Sequence, residues 1–442
     1  MNAVASRGHL LRLLGATFGV AVGVGEMIGS GILRSPSVIA ASLHESGIII
    51  LLWSLGAFHA LLGANIFAEL ATALPQAGGS YVYARRAFGD IAGLVVGWTV
   101  FASHLAGIAA ASVVFADFLG ILWPAAAAHT AVAAVAVQCL LYASNVVGLR
   151  EGRVLQIATS LVKSVMLAAF VVAAVWVGAQ RNAAAVHPVH LAAAGFLAYV
   201  LAYQLIAGAY SGWAAPAFFA EENISPAASI PRALLVGLLI TAALYIFVNA
   251  ALFYALGTGG TAASNLPFAV VLQHVGGVSV STLFVIGAMV TVTSCANANI
   301  MIAPRILFAL SRDRLLPQSL QAVNEGGSPY VGFALTAVIS LVLATTGAFQ
   351  LVFGLIGTLN SLSGVVTDVA FFALRRREPD LARPFRALLS PWLPGLLVVT
   401  DGTLLVLFAA SDLRGAIVAA ALCVICVPLA LLAHRARIGA PA

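Results

Sequence analysis

Residues 19–38 read GVAVGVGEMIGSGILRSPSV, with Gly23, Gly25, Gly29 and Gly31 inside nine residues and Glu26 among them. Glycine in a helix interior costs roughly 1 kcal/mol against alanine, and a carboxylate at membrane depth is expensive. Yet the stretch is apolar enough to sit in lipid, where every backbone amide and carbonyl must find a partner within the protein. It therefore predicts a helix interrupted at Gly29-Ser30-Gly31, with the interruption walled by protein. The competing reading is helix packing, because Gly19/Gly23 and Gly25/Gly29 are GxxxG pairs that let helices approach closely.

Composition supplies the setting. Of 442 residues, 62% are hydrophobic and 8% charged, and the mean hydropathy is +1.05. Soluble domains carry about 25% charged residues and less than about half apolar ones. The chain reads as an all-α membrane protein. No short apolar run with a small-residue cleavage site precedes the first span, so no removed signal peptide is expected. Cys139, Cys295, Cys423 and Cys426 all fall in predicted spans and are too few for a disulfide framework. CVIC at 423–426 has redox-like spacing but reads as small apolar residues in hydrocarbon. No metal and no cofactor is expected.

Runs of about 20 apolar residues give approximate spans at 10–43, 47–74, 92–123, 127–147, 154–179 and 193–220. The remainder gives 231–257, 278–310, 329–346, 349–374, 391–410 and 414–434, about twelve transmembrane helices in all. With the N-terminus inside, 17 of the 21 basic residues fall on the cytoplasmic side, as the positive-inside rule requires. Both termini are therefore expected in the cytoplasm, on a multi-pass protein of the cytoplasmic (inner) membrane. The same arginines explain the net charge of +6 without nucleic acid.

A second span is interrupted in a corresponding place. AYSGWAAP, residues 209–216, breaks the sixth helix five helices after the first break, and Pro216 argues against an uninterrupted helix there. Paired broken spans at matching positions point to a transport site at the membrane midplane. The spacing suggests one membrane domain in three parts. Residues 1–190 hold helices 1–5, 191–378 hold helices 6–10, and 379–442 hold helices 11–12 and the C-terminus. Unwinding at Gly29–Gly31, with Ile28 beside it in the site, frees amides at the positive end of the second half-helix, beginning near Ile32, and suits a carboxylate. Unwinding around Ser211, Gly212 and Trp213, with Ala209 and Tyr210 before it in the site, frees carbonyls that accept from an ammonium. A ligand carrying both charges on adjacent atoms is an amino acid.

GEMIGSGIL (25–33) resembles the first-helix signature of the amino acid–polyamine–organocation (APC) superfamily. PQAGGSYVYARRAFG (75–89) resembles its loop after helix 2, AEENISPAASIPRAL (220–234) its loop after helix 6, and PRILFALSRDRLLP (304–317) its helix 8 ending. These matches stand in family order along most of the chain. The resemblance implies a five-plus-five inverted-repeat, LeuT-like fold with discontinuous helices 1 and 6, moving amino acids or related amines by alternating access. QIATSLVK (156–163) resembles a fifth-helix pattern of L-type and proton-dependent members. There the lysine reaches the broken first helix and stands in the place of a sodium ion. Trp213 falls where the family places an aromatic that caps the substrate from outside.

Lys163 lies about nine residues, roughly 13 Å, into the fifth span, too deep for easy snorkelling. A lysine able to shed its proton suits proton exchange, so Lys163 is expected to couple conformation or proton movement to transport. The alternative is a structural lysine held by helix-end carbonyls. Glu26 departs from the family, whose members carry a small or neutral residue there. It is open to pairing with Lys163, contacting a cationic substrate, or carrying a proton. Arg34 reads as a snorkelling or gating residue and not a ligand, and Ser103 and His104 as residues able to reach the cavity. His59, Asp117, Asp368 and Asp401 read as helix partners, and Glu221 and Glu222 as salt-bridge or gate residues with basic neighbours.

A rival carrier reading keeps the fold but takes a polyamine or other organic amine, with Glu26 as cation anchor. An enzyme or a channel is not expected. No HExxH or GxSxG motif, no paired intramembrane aspartates with a plausible reaction and no filter-like repeat appear. The loop WPAAAAH (123–129) offers no cysteine for a disulfide-linked accessory subunit of the kind L-type relatives use, so a monomer is expected. The partners expected are the amino acid, protons and the lipid bilayer.

Overall fold

The computed structural model describes Leu10 and residues 12–147, 149–181, 194–264, 266–324, 327–345, 349–421 and 424. Among these, every named element is a helix. The first span is split into α1 (Ala16–Met27) and α2 (Ser30–Ser42), followed by α3 (Ser46–Ala73), α4 (Ser80–Phe88) and α5 (Asp90–Leu122). After a 3-10 turn come α6 (Thr130–Val147) and α7 (Leu149–Arg181), then the split pair α8 (Phe196–Tyr210) and α9 (Ala215–Phe218). The chain continues through α10 (Pro226–Ala262), α11 (Pro267–Arg312), α12 (Tyr330–Thr345), α13 (Phe349–Arg377) and α14 (Trp392–Ser411). Among the described residues nine helical segments are long and apolar enough to cross a membrane, and α8 and α12 are shorter apolar helices.

The expected spans match these helices closely, with three informative differences. The expected seventh span stops at 257, where α10 kinks at Gly257 and then runs on to Ala262. The expected eighth begins at 278, but α11 starts at Pro267 and is kinked at Gly276 and Gly277. The loop after the second span folds into α4, whose apolar side, including Tyr81 and Tyr83, is buried. The 190/191 boundary, Cys423, Cys426 and the twelfth span beyond 424 lie outside the described residues.

The two split helices sit at the centre. α1 packs on α7, α10 and α11, and α2 on α8 and α10. Glycine serves packing on the α1 side: a Cβ at Gly19 would fall 2.6 Å from Ala233 Cβ, and one at Gly25 would overlap the Gln156 side chain. α7 shows how the periphery is built. Val154, Leu161, Val165 and Val172 are exposed, whereas Gln156, Ser160, Lys163 and Leu167, at helical spacing, are buried. An outward row of this kind suits lipid, since soluble monomers rarely expose long contiguous apolar patches. The inward row carries the polar groups.

One end of the molecule is rich in arginine and tied by ion pairs. Arg305 donates to both carboxylate oxygens of Glu222 at 2.7 and 2.9 Å, and both residues are buried. Arg312 pairs with Glu221 at 2.6 Å, Arg85 with Asp90 and Asp313 at 2.7 and 2.8 Å, and Arg86 with Glu378 at 2.8 Å. Glu69 at the end of α3 accepts from Arg375 at 2.9 and 2.5 Å and from the Ala387 amide at 2.7 Å. Glu221 and Glu222 thus take the basic partners their sequence context implied. A buried pair of this type is costly to break one partner at a time, at roughly 3–5 kcal/mol, so these contacts fasten the α9–α10 connection to α11.

Candidate functional site

The first break is shorter than expected and displaced. α1 ends at Met27, Ile28 is extended (φ −73°, ψ 92°), Gly29 is also outside helical geometry (φ −144°, ψ −147°), and α2 resumes at Ser30. Ser30 and Gly31 therefore belong to the first turn of α2 and not to the unwound segment. A helix starts with amides that have no partner within it, so the unbonded donors begin at Gly29 and Ser30 rather than near Ile32. The second break lies where the sequence put it. α8 ends at Tyr210, residues 211–214 form turns, and α9 starts at Ala215.

Gly31 brings the two breaks together. A Cβ there would stand 2.8 Å from Ala209 Cα and 2.9 Å from Ala209 Cβ, so only hydrogen fits between the start of α2 and the end of α8. At Gly212 φ is +102°, and a Cβ would stand 2.7 Å from Glu26 Cγ and 3.1 Å from the Glu26 carbonyl carbon. The second break thus rests directly on the last turn of α1.

The carbonyls at the end of α1 are claimed one by one. Lys163 Nζ donates to Gly25 O at 2.5 Å and to Ile28 O at 2.7 Å. Cys295 Sγ donates to Glu26 O at 3.2 Å. Tyr245 Oη donates to Met27 O at 2.6 Å and stands 3.2 Å from Ala209 O, touching both broken helices with one hydroxyl. Helix ends otherwise leave four carbonyls unbonded, and a cation there also meets the negative end of the helix dipole, worth about 0.3–1 kcal/mol or up to ~2 when partly buried. Lys163 is fully buried. Ser160 Oγ extends the same row by donating to Ala21 O at 2.7 Å.

A cavity of about 200 Å³ opens beside these groups. Of the residues expected at the site, Gly29, Ser30, Gly31, Glu26, Ala209, Tyr210, Ser211, Gly212 and Trp213 line it. Ile28 and Lys163 do not. Ile28 is fully buried and contributes its carbonyl to Lys163; Lys163 touches the backbone at the end of α1. Trp213 packs edge-on against Phe67 at 4.8 Å, with a Cβ at Gly63 excluded by its indole, 2.6 Å away.

Glu26 does not pair with Lys163. Its Oε1 lies 3.3 Å from His104 Nδ1, and its buried Oε2 has no protein partner. His104 Nδ1 also faces Asn299 Oδ1 at 2.8 Å, and Asn299 Nδ2 donates to Cys295 O at 2.9 Å. With oxygen acceptors on both contacts, Nδ1 is the nitrogen that carries hydrogen. Ser103 Oγ bonds Asn360 Oδ1 at 2.7 Å, so both α5 residues reach the cavity wall. Arg34 is an ion-pair partner of Asp117 at 2.7 Å and is absent from the cavity.

The model of the amino acid permease family matches residues 11–431. The chain belongs to that family. Its relatives include the serine/threonine exchanger SteT of Bacillus subtilis, 26% identical over 88% of this chain and 89% of that protein. The branched-chain amino acid permease BcaP of the same organism is 29% identical over 88% of this chain and 86% of its own. The human large neutral amino acids transporter small subunit 2 is 25% identical over 82% and 70%. These are APC superfamily members, as the signature motifs suggested. This permease is a multi-pass membrane protein and not an enzyme. Sequence reasoning missed Tyr245 and Cys295 as helix-end partners, because an isolated tyrosine or cysteine in an apolar span carries no periodic signal. It also missed Asn299 and Asn360 on the cavity wall, which a list of polar residues in the spans would have raised.

Proposed function

We propose that the permease is a secondary active carrier of an amino acid, working by alternating access between two inverted five-helix repeats. In this reading helices 1–5 and 6–10 form the repeats, helices 11 and 12 follow, and both termini face the cytoplasm of a monomer in the inner membrane. The substrate carboxylate accepts from the free amides at Gly29, Ser30 and Gly31, assisted by the positive end of α2. The ammonium donates to the carbonyls at the end of α8, including those of Ala207 and Tyr210, and to the orphan oxygen of Glu26. Trp213 gates the cavity. Lys163 links the α1 break to transport, either in proton symport or in exchange, by holding two carbonyls that must be released if α1 is to tilt. What supports the reading most is the contact of the two broken helices, at Gly31 of α2 and Ala209 of α8, beside a cavity. The three relatives named above all carry amino acids in their names.

A second reading, transport of a polyamine or other amine, is favoured by one observation: the buried, unpartnered Oε2 of Glu26. It makes Glu26 the anchor and leaves the α2 amides without a ligand group.

The test is uptake into proteoliposomes of a panel of radiolabelled amino acids, with and without an imposed pH gradient. Saturable uptake or counterflow of at least one neutral amino acid is expected. A panel without any counterflow, in vesicles shown to contain folded protein, overturns the proposal.

A further inference from the structure

Three helices that carry no break bring a second group of ionisable side chains to the cavity wall: His59 of α3, Asp368 of α13 and Asp401 of α14. His59 Nε2 lies 2.6 Å from Asp401 Oδ1, and the Asp368 carboxyl stands within reach of that of Asp401. Asp401 is pressed toward α13, where a Cβ at Gly364 would lie 2.9 Å from its Oδ2. Asp368 is 1% exposed, and its Oδ2 receives no donor from the protein.

Two ionised carboxylates have only acceptors. A hydrogen bond between them forms only when one of them is protonated, and Asp368 Oδ2 has no other donor from the protein. Among the described residues no lysine or arginine pairs with either aspartate. His59 is thirteen residues from one end of α3 and fourteen from the other, roughly 20 Å each way at 1.5 Å per residue. The cluster sits near the middle of the span.

The elements packed against α13 and α14 are α3, α4, α5 and α8, and α3 packs in addition against α2, α9 and α10, on the last of which Tyr245 is engaged with Met27 O. From α8, Tyr203 stands within electrostatic reach of Asp401 and 6.4 Å, ring to ring, from His59; Tyr199 and Tyr210 are the other phenols there. On α3, Glu69 is taken by Arg375 and Arg383. On α4, Arg85 and Arg86 are held by Asp90, Asp313 and Glu378, Tyr81 by Asp313, and Tyr83 brings an uncharged ring. On α5, Asp117 is held by Arg34 and His104 by Asn299 and Glu26.

We propose that Asp368 and Asp401 bind one exchangeable proton between them, reached from the cavity through His59, and that this is where a proton gradient is coupled to substrate movement. The coupling rests on the transport reading above; the shared proton does not. On loading, His59 Nδ1 takes a proton from hydronium, leaving water, while Nε2 gives its proton to Asp401 Oδ1. The imidazole ends neutral, in its other tautomer, and the carboxyl pair goes from two negative charges to one. Unloading reverses both transfers. Two adjacent bare carboxylates repel, so the empty pair favours a state in which α13 and α14 stand further apart at this level. Proton occupancy and conformation are thereby linked in both directions. Lys163 keeps its separate place at the end of α1.

Two measurements decide it. The first is the infrared carbonyl stretch of protonated carboxylic acid in purified protein at neutral pH, in H2O and D2O. A band present in the wild type is expected to disappear in Asp368→Asn and in Asp401→Asn and to remain in His59→Gln. A spectrum identical in wild type and both asparagine variants overturns the shared proton. The second is the ratio of pH-gradient-driven accumulation to substrate counterflow in the same vesicles, so that poor folding lowers both and leaves the ratio alone. The ratio is expected to fall at least tenfold in both asparagine variants. Counterflow with an unchanged ratio overturns the coupling alone. No counterflow of any amino acid in the wild type overturns the transport reading, and the coupling with it.

Discussion

Lys163→Met is expected to reduce uptake by more than tenfold while leaving a folded protein. Methionine keeps the length and most of the packing of the lysine stem in a fully buried position, but removes both donors to Gly25 O and Ile28 O. A buried carbonyl left without a partner costs roughly 1–3 kcal/mol, and two are left here. They lie at the end of the half-helix that forms one side of the cavity, so α1 is expected to relieve the loss by shifting or unwinding further. A displacement worth even about 1.4 kcal/mol of binding is a factor of ten. Initial uptake rates in proteoliposomes, beside a thermal melt of the same preparation, check the result. A lowered melting temperature with wild-type uptake would reduce Lys163 to a purely structural tie.

Gly212→Ala is expected to be as damaging, for a different reason. Alanine at φ +102° is strained whatever the space, and its Cβ would meet Glu26 Cγ at 2.7 Å and the Glu26 carbonyl carbon at 3.1 Å. A side-chain end can swing away; backbone cannot. Strain of this type costs about 1–3 kcal/mol, and the simplest relief pushes the second break off α1 and widens the distance between the two halves of the site. A fall in uptake of more than tenfold is expected, with weaker apparent affinity. Gly259→Ala is the control, because a Cβ there meets nothing within 4 Å. Equal uptake by the two variants would mean that the contact between Gly212 and Glu26 does not hold the site.

The sequence was legible where chemistry and helix length speak together. The span limits followed from apolar runs, and the second break from AYSGWAAP, where Gly212 and Pro216 act as punctuation. Lys163 was readable because a lysine about nine residues into an apolar span is too deep to reach water easily. The first break was misplaced for an instructive reason. Gly29 and Gly31 both read as helix breakers, but Gly31 is helical and lacks a side chain so that Ala209 can approach. Glycine as hinge and glycine as gap look alike in a sequence. The partnership of Glu26 with His104 across 78 positions, and of His59 with Asp401 across 342, had no local signal. Each looked like a lone polar residue in an apolar span, and only the fold, which brings α1 to α5 and α3 to α14, joins them.

Competition of a transported amino acid's uptake by that amino acid, by its amide and by its decarboxylated amine probes the paired breaks most directly. If backbone donors at Gly29–Gly31 take the carboxylate and the α8 end takes the ammonium, both analogues should compete at least tenfold more weakly than the parent, because each removes a charged partner. Should the decarboxylated amine compete as well as the amino acid itself, the α2 amides bind no carboxylate and the site is built for a cation held by Glu26.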